Sequence, residues 1–157
     1  MNDRLQNAVA IIGIAGRFPG AENVEQFWRN LCAGRESVRR IPEQDLEDGL
    51  TAEQRSQGKY VAARALLENV DQFDAEFFHI LPREAELTDP QQRVLMECAW
   101  EAMEDAGYDA SRVAGNVGVF AGSSINTYLL LHLASDPEFR KEFTRSYQVG
   151  SFAALVG

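Results

Sequence analysis

The sequence predicts an α/β fold of the kind in which a parallel sheet is covered by helices, and two kinds of segment carry that prediction. Residues 8–14, Ala8-Val9-Ala10-Ile11-Ile12-Gly13-Ile14, and residues 117–122, Val117-Gly118-Val119-Phe120-Ala121-Gly122, are short, nearly continuous apolar runs of the type buried on both faces of a sheet. Between and after them lie several stretches with helical spacing of apolar residues. Two strands with about five helices make an incomplete sheet by themselves, since parallel strands need neighbours on both sides. The chain therefore reads as part of a larger sheet domain.

The first helix is expected after Asn23, a capping residue followed three positions later by Gln26. Val24, Phe27, Trp28 and Leu31 then share one face until Gly34 ends the pattern. Residues 35–65 are mostly polar, contain Pro42 and Gly49, and read as a long surface excursion with one possible helical turn after Thr51. Phe73, Phe77 and Phe78 suit a short helix that inserts its rings into a core, broken at Leu81-Pro82.

The clearest element begins at Asp89-Pro90, an N-cap followed by proline at the first helical position, with Gln92 completing a capping box. Val94, Cys98, Ala102 and Ala106 form one ridge and Leu95, Ala99 and Met103 the next, so deep burial is expected, with Gly107 as the stop. After the second strand, Ser123-Ser124 leads into an apolar helix through about Ala134, and Asp136-Pro137 caps another that carries Phe139 and Phe143. The tail from Phe152 is apolar to its end.

Composition excludes several classes of function. The 157 residues carry 15 Lys and Arg against 24 Asp and Glu, a formal net charge of -9, which would repel a phosphate backbone, so no nucleic acid partner is expected. No apolar stretch is long enough to cross a bilayer and no signal-peptide core is present, so the chain reads as soluble and cytoplasmic with no membrane partner. Cys32 and Cys98 lack CxxC partners, which argues against a disulfide framework or a zinc site; both are expected to be small buried hydrophobes.

Gly13, Gly16 and Gly20 invite a dinucleotide-loop reading, but the spacing is not GxGxxG and Arg17-Phe18-Pro19 stands where a helix should begin, so no cofactor-binding residues are assigned. His79 and His132 have no Ser or Cys beside them at a strand-to-helix turn and read as ordinary surface or hydrogen-bonded histidines. Asp71, Asp74, Glu76, Glu84 and Glu86 are too dispersed for a metal site, and Glu97, Glu101, Glu104 and Asp105 mark the wet side of their helix. Gly122-Ser123-Ser124 lacks the GxSxG form; a helix cap and a ligand contact are both compatible with it.

Read together, the blocks carry a resemblance. Residues 9–20, Val9-Ala10-Ile11-Ile12-Gly13-Ile14-Ala15-Gly16-Arg17-Phe18-Pro19-Gly20, followed by Phe27-Trp28, look like the opening of the ketosynthase (β-ketoacyl synthase) domains of modular type I polyketide synthases. Phe73-Asp74-Ala75-Glu76-Phe77-Phe78, Pro82-Arg83-Glu84-Ala85, Asp89-Pro90-Gln91-Gln92-Arg93, Ala99-Trp100-Glu101-Ala102 and Glu104-Asp105-Ala106-Gly107 resemble the same family in order. Gly118-Val119-Phe120-Ala121-Gly122-Ser123-Ser124-Ile125-Asn126-Thr127-Tyr128 is similar to its next strand. Two positions depart from the pattern: His79-Ile80-Leu81-Pro82 replaces a more usual Gly-Ile-Ser-Pro, and Thr88 stands where an apolar residue is common.

The resemblance implies a thiolase-like fold, of which residues 8–157 would be the N-terminal segment after a short lead of residues 1–7, and a homodimer in the complete family. It implies a decarboxylative Claisen condensation, in which a Cys thiolate takes an acyl group from the phosphopantetheine arm of an acyl carrier protein and a malonyl-type extender attacks it, with two histidines and a lysine assisting. Those four residues belong beyond the block at Gly122, so no catalytic residue is assigned in this chain and Cys98, His79 and His132 receive no such role. The chain alone is expected to be inactive, its partners being the acyl carrier protein and the remainder of the ketosynthase. Ile125, Asn126 and Tyr128 become candidates for lining the acyl pocket, with simple helix packing as the competing reading. The alternative function is a non-catalytic interaction module that holds a carrier protein or synthase subunit; a nucleotide-binding domain is a weaker third.

Overall fold

The computed structural model describes residues 8–42 and 61–148. Among these residues the helices are α1 (Val24–Cys32), α2 (Pro82–Leu87), α3 (Pro90–Asp105), α4 (Thr127–Leu131) and α5 (Pro137–Gln148), with single 3₁₀ turns at Ala110–Arg112 and Leu133–Ser135. The only ladder among them joins β1 (Arg39–Arg40) to β2 (Ala63–Arg64). The chain divides into two compact units, Met1–Val70 with Cys98–Val113, and Asp71–Glu97 with Ala114–Gly157. The possible turn after Thr51 and the apolar tail lie outside the described residues, and Phe143 outside the described side chains.

In the first unit, α1 forms as its sequence dictates. Asn23 is the N-cap, its Oδ1 accepting from the Gln26 amide at 2.9 Å, while Gln26 Oε1 reaches back to the Glu22 amide at 3.1 Å. At the other end Gly34 takes φ +62°, and two bonds, from the Gly34 amide to the Leu31 carbonyl (3.0 Å) and from the Arg35 amide to the Asn30 carbonyl (2.9 Å), close a Schellman motif. Phe18 stacks on Phe27 with centroids 4.1 Å apart, over the turn in which Phe18 and Ala21 exchange backbone bonds. Buried Asn30 holds that turn through its Nδ2, which donates to the Gly20 carbonyl at 2.8 Å.

The pairing of β1 with β2 was not legible in the sequence. Arg39 lies opposite Arg64 and Arg40 opposite Ala63, and Arg39 forms an ion pair with Glu68. A ladder of two residues is too short to leave a period-2 pattern.

The first expected strand is not formed. Residues 8–14 carry no ladder, and Val9 and Ile11 are 93% and 86% exposed. An apolar run becomes a strand only when a neighbour takes its amides and carbonyls, and no neighbouring strand lies along this segment among the described residues. What fixes it is the C-terminal half of α3: the Ile14 amide donates to Asp105 Oδ2 at 2.9 Å, and Gly13 lies so close that a Cβ there would stand 2.2 Å from the Ala102 carbonyl oxygen. Gly13 therefore serves a close approach of two backbones.

Arg17 sits a few residues further on and grips Glu101 of α3 with both guanidinium nitrogens, at 2.6 and 2.5 Å. Glu101 and Asp105 thus do more than wet the helix surface, correcting the sequence reading. The Arg17 hydrogen bond holds the Glu101 carboxyl below the ordinary glutamate value of 4.5, against a smaller opposing effect of burial. The associated stability is fully present above the unfolded-state pKa and is lost as pH falls through the lowered folded-state value. Glu101 keeps 40% of its side chain in solvent, so the pair contributes no more than ~1 kcal/mol. Urea midpoints of the parent and Glu101→Gln should differ near neutral pH and converge as pH falls through the lowered folded-state value; a gap that does not change with pH would remove the ion pair as its cause.

Helix α3 starts and stops where expected. Asp89 Oδ1 accepts from the Gln91 amide at 2.8 Å, and Gly107 takes φ +72° with bonds from its own amide to the Glu104 carbonyl and from the Tyr108 amide to the Met103 carbonyl, both 2.9 Å. The expected deep burial does not follow. Arg93 is its buried residue, Val94, Cys98, Ala102 and Met103 are half-buried, and Leu95 and Ala99 are exposed. Ridges are buried by a sheet layer, and none is assembled among the described residues. The same absence leaves Cys32 exposed and Cys98 half-buried, against the expectation that both are buried.

In the second unit, Phe73, Phe77 and Phe78 lie on successive turns, not on the expected helix. Asp74 Oδ1 takes the Phe77 amide at 3.0 Å, and Phe78 stacks on Phe73 and meets Phe77 edge-on, with centroids 5.1 and 5.0 Å away. Pro82 begins α2 where a break was expected, because proline fits the first helical position. Both departures from the family pattern have local consequences here. His79 adopts φ +56°, which glycine adopts without a Cβ penalty, and Leu81 is an N-cap with no side-chain cap bond, which serine would supply. Thr88 closes α2, its Oγ1 donating to the Glu84 carbonyl at 2.8 Å.

The second expected strand is likewise unpaired among the described residues: Val119 is 85% exposed and Phe120 fully so. Beyond it, α4, the 3₁₀ turn and α5 pack in succession. Asp136 caps α5 as expected, Oδ1 accepting from the Glu138 amide at 2.9 Å, and Phe139 is buried.

Candidate functional site

The three candidate pocket residues lie at the entrance to α4, in the second unit. Asn126 is the N-cap: its Oδ1 accepts from the Leu129 amide at 2.8 Å, satisfying an amide that the helix itself leaves open. Tyr128, in the first turn, is half-buried and its hydroxyl donates to the Glu86 carbonyl at 2.9 Å, tying α4 to α2. Its ring stands 5.4 Å from that of His132, an exposed residue at the end of α4. Ile125, immediately before the cap, is 77% exposed.

Ser124 does not cap a helix, as one reading of Gly122-Ser123-Ser124 held. Its Oγ donates to Gln91 Oε1 at 2.9 Å, and its amide lies 3.4 Å from the same oxygen. The first turn of α3 thereby fixes the loop in front of α4. Gln91 was missed at the sequence level as anything other than a helix residue. Its repeated use, amide to Asp89 and side chain to Ser124, follows from its place in the second position of a capped helix.

Chemically, this entrance offers a phenol, an amide engaged as a cap and an open apolar side chain. The exposed Asp71, Asp74, Glu76, Glu84 and Glu86 agree with a solvated face, and no group of three metal-ligating side chains occurs among the described residues. Cys98 lies in the middle of α3, away from the helix N-terminus that would favour a thiolate, and His79 is exposed on its turn. No helix of the described residues is long and apolar enough to cross a membrane.

Comparison with known proteins identifies the family to which these elements belong. Residues 6–156 match the family model "Beta-ketoacyl synthase, N-terminal domain", and the chain belongs to that family. It is 46% identical over 131 residues to a phenolphthiocerol/phthiocerol polyketide synthase of Mycobacterium tuberculosis, covering 83% of this chain and 9% of that protein. Polyketide synthase ThaG of Burkholderia thailandensis is 44% identical over 128 residues, which cover 79% of this chain and 2% of that one.

Among solved structures, ketosynthase twelve of the bacillaene polyketide synthase of Bacillus amyloliquefaciens matches with TM-score 0.54 and 48% identity, over 63% of this chain and 18% of that one. The module 6 ketosynthase of the bacillaene synthase of Bacillus subtilis 168 matches with TM-score 0.54 and 38% identity, over 65% and 17%. The fold is thus the thiolase-like fold of ketosynthases, and the chain spans less than a fifth of the solved ketosynthases it matches.

Proposed function

We propose that this chain supplies the N-terminal part of a polyketide synthase ketosynthase, a domain that extends a carrier-bound acyl chain by decarboxylative Claisen condensation with a malonyl-type extender. The observation that carries the reading is the family match over residues 6–156. The nucleophilic Cys, the two histidines and the lysine of that reaction lie outside this chain's residues, and the acyl group and extender arrive on the phosphopantetheine arm of an acyl carrier protein. The remainder of the ketosynthase is its structural partner, and the homodimer is that of the complete domain.

Within this reading residues 8–157 form the N-terminal segment and residues 1–7 a short lead. Ile125 and Tyr128 line the acyl pocket, Ile125 through its open apolar side chain and Tyr128 through its ring, while Asn126 shapes that wall as the α4 cap. The environment of Cys98, mid-helix and half-buried, supports its having no part in acyl transfer.

The test is a condensation assay with the purified chain, an acyl thioester and a malonyl-loaded carrier protein, followed by mass spectrometry of the carrier. No β-ketoacyl product and no acyl-enzyme on Cys98 or Cys32 are expected. A product whose formation disappears in Cys98→Ala would overturn the assignment. The interaction-module reading predicts instead stable co-elution of the chain with a carrier protein or synthase subunit. Its motivation is the exposed apolar run at residues 117–122.

A further inference from the structure

Ile125 is the open apolar side chain of the α4 entrance, and with 77% of its surface in solvent it is not held in place by packing. Its position is set by its backbone, and that backbone is fastened on both sides. One residue earlier, the Ser124 hydroxyl donates to Gln91 Oε1 at 2.9 Å and the Ser124 amide lies 3.4 Å from the same oxygen. Three residues later, the Tyr128 hydroxyl donates to the Glu86 carbonyl at 2.9 Å. Between these points the Thr127 amide donates to the Ile125 carbonyl at 2.8 Å, closing a γ-turn. All of these groups belong to the second unit.

The Gln91 side chain is itself held in one orientation. The Ser124 amide can only donate and the Asp89 carboxylate can only accept, so the carboxamide turns Oε1 to Ser124 and Nε2 to Asp89 Oδ2, at 3.4 Å. Its main chain is anchored as well, the Gln91 amide donating at 2.8 Å to Oδ1 of Asp89, which is 5% exposed. The start of α3, outside the entrance, thereby decides where the wall stands. Small displacements of such a wall matter, because an apolar contact is lost or turned into overlap within an ångström.

We propose that Gln91 is a positioning residue that sets which acyl chains the α4 entrance accepts, acting through Ser124 on Ile125 and touching no substrate itself. This rests on the reading that Ile125 and Tyr128 line the acyl pocket of a ketosynthase. With the Tyr128 hydroxyl engaged by Glu86, its ring and Ile125 meet the acyl chain through apolar surface, so this wall sorts chains by shape, straight against branched.

The test uses the complete ketosynthase that carries this chain, with butanoyl and 2-methylbutanoyl groups loaded on a carrier protein. Acyl-enzyme formation is followed by mass spectrometry, and the quantity read is the ratio of the two kcat/KM values, in which any misfolded fraction cancels. Gln91→Leu, similar in size but unable to accept, should shift that ratio roughly fivefold, the scale of one hydrogen bond. Ser124→Ala, a change at an exposed loop residue, should shift it in the same direction by a similar factor. The double variant should go no further than either alone, as two ends of one link require. Ser124→Thr keeps the hydroxyl and should stay at the parent ratio. A ratio unmoved by Gln91→Leu or by Ser124→Ala, shifts that multiply in the double variant, or a Ser124→Thr shift equal to that of Ser124→Ala would each overturn the proposal. No acyl-enzyme in the parent would instead overturn the ketosynthase reading, and this inference with it, so the two failures are distinguishable.

Discussion

Replacing Gly13 with alanine is expected to destabilise the chain by about 1–3 kcal/mol, the cost of forcing added volume into a contact that cannot open. A Cβ at this position would lie 2.2 Å from the Ala102 carbonyl oxygen, 2.8 Å from Ala106 Cβ and 2.8 Å from the Ala106 amide nitrogen. Two of these are backbone atoms of α3, and the Ala102 oxygen already accepts from the Ala106 amide at 3.1 Å, so no flexible side chain can yield. The segment must retreat, and with it the bond from the Ile14 amide to Asp105. Gly122→Ala is the matched comparison, since a Cβ there meets nothing within 4 Å. Urea denaturation followed by tryptophan fluorescence should show a clearly lower midpoint for the first substitution and a near-parent midpoint for the second. Equal midpoints would mean that residues 8–14 do not rest on α3.

Asp89→Ala is expected to cost about 1–2 kcal/mol, the upper range for losing an N-cap. Asp89 is 5% exposed and its carboxylate takes the Gln91 amide at 2.8 Å, with Gln91 Nε2 a further 3.4 Å contact. Alanine would leave that amide unsatisfied at a buried helix start, where water cannot readily replace the carboxylate. Gln91 also holds Ser124, so a frayed first turn should loosen the entrance to α4. Asp89→Asn keeps an acceptor and should recover most of the loss. Helicity by circular dichroism, together with amide exchange at Ser124 and Leu129, checks both levels. A loss of stability without faster exchange at Ser124 would confine the effect to the helix end.

The capping signals were legible because they act over four or five residues. Asn23 with Gln26 and Gly34, Asp89 with Pro90 and Gly107, and Asp136 with Pro137 each set a helix boundary through bonds between near neighbours in the chain. The ordered blocks around Asp74, Pro82, Asp89 and Gly118 likewise sufficed for the family, which the match over residues 6–156 bears out. Local rules failed at Phe73–Phe78, where side-chain capping by Asp74 competes with the helix, and at Arg39 and Arg64, whose pairing joins positions far apart in the sequence.

The sequence by itself determined the caps of α1 and α3, the start of α5 and the membership in the ketosynthase family. Only the tertiary structure decided that Gly13 serves a backbone contact, that Arg17 holds Glu101, that Ser124 is tied to Gln91 and that Tyr128 reaches the Glu86 carbonyl. It also decided that the apolar runs at residues 8–14 and 117–122 stand exposed and unpaired among the described residues. The physical reason is range: a cap is satisfied by a neighbour a few residues away, whereas a strand, a close backbone approach or a bidentate ion pair exists only when distant parts of the chain supply the other half.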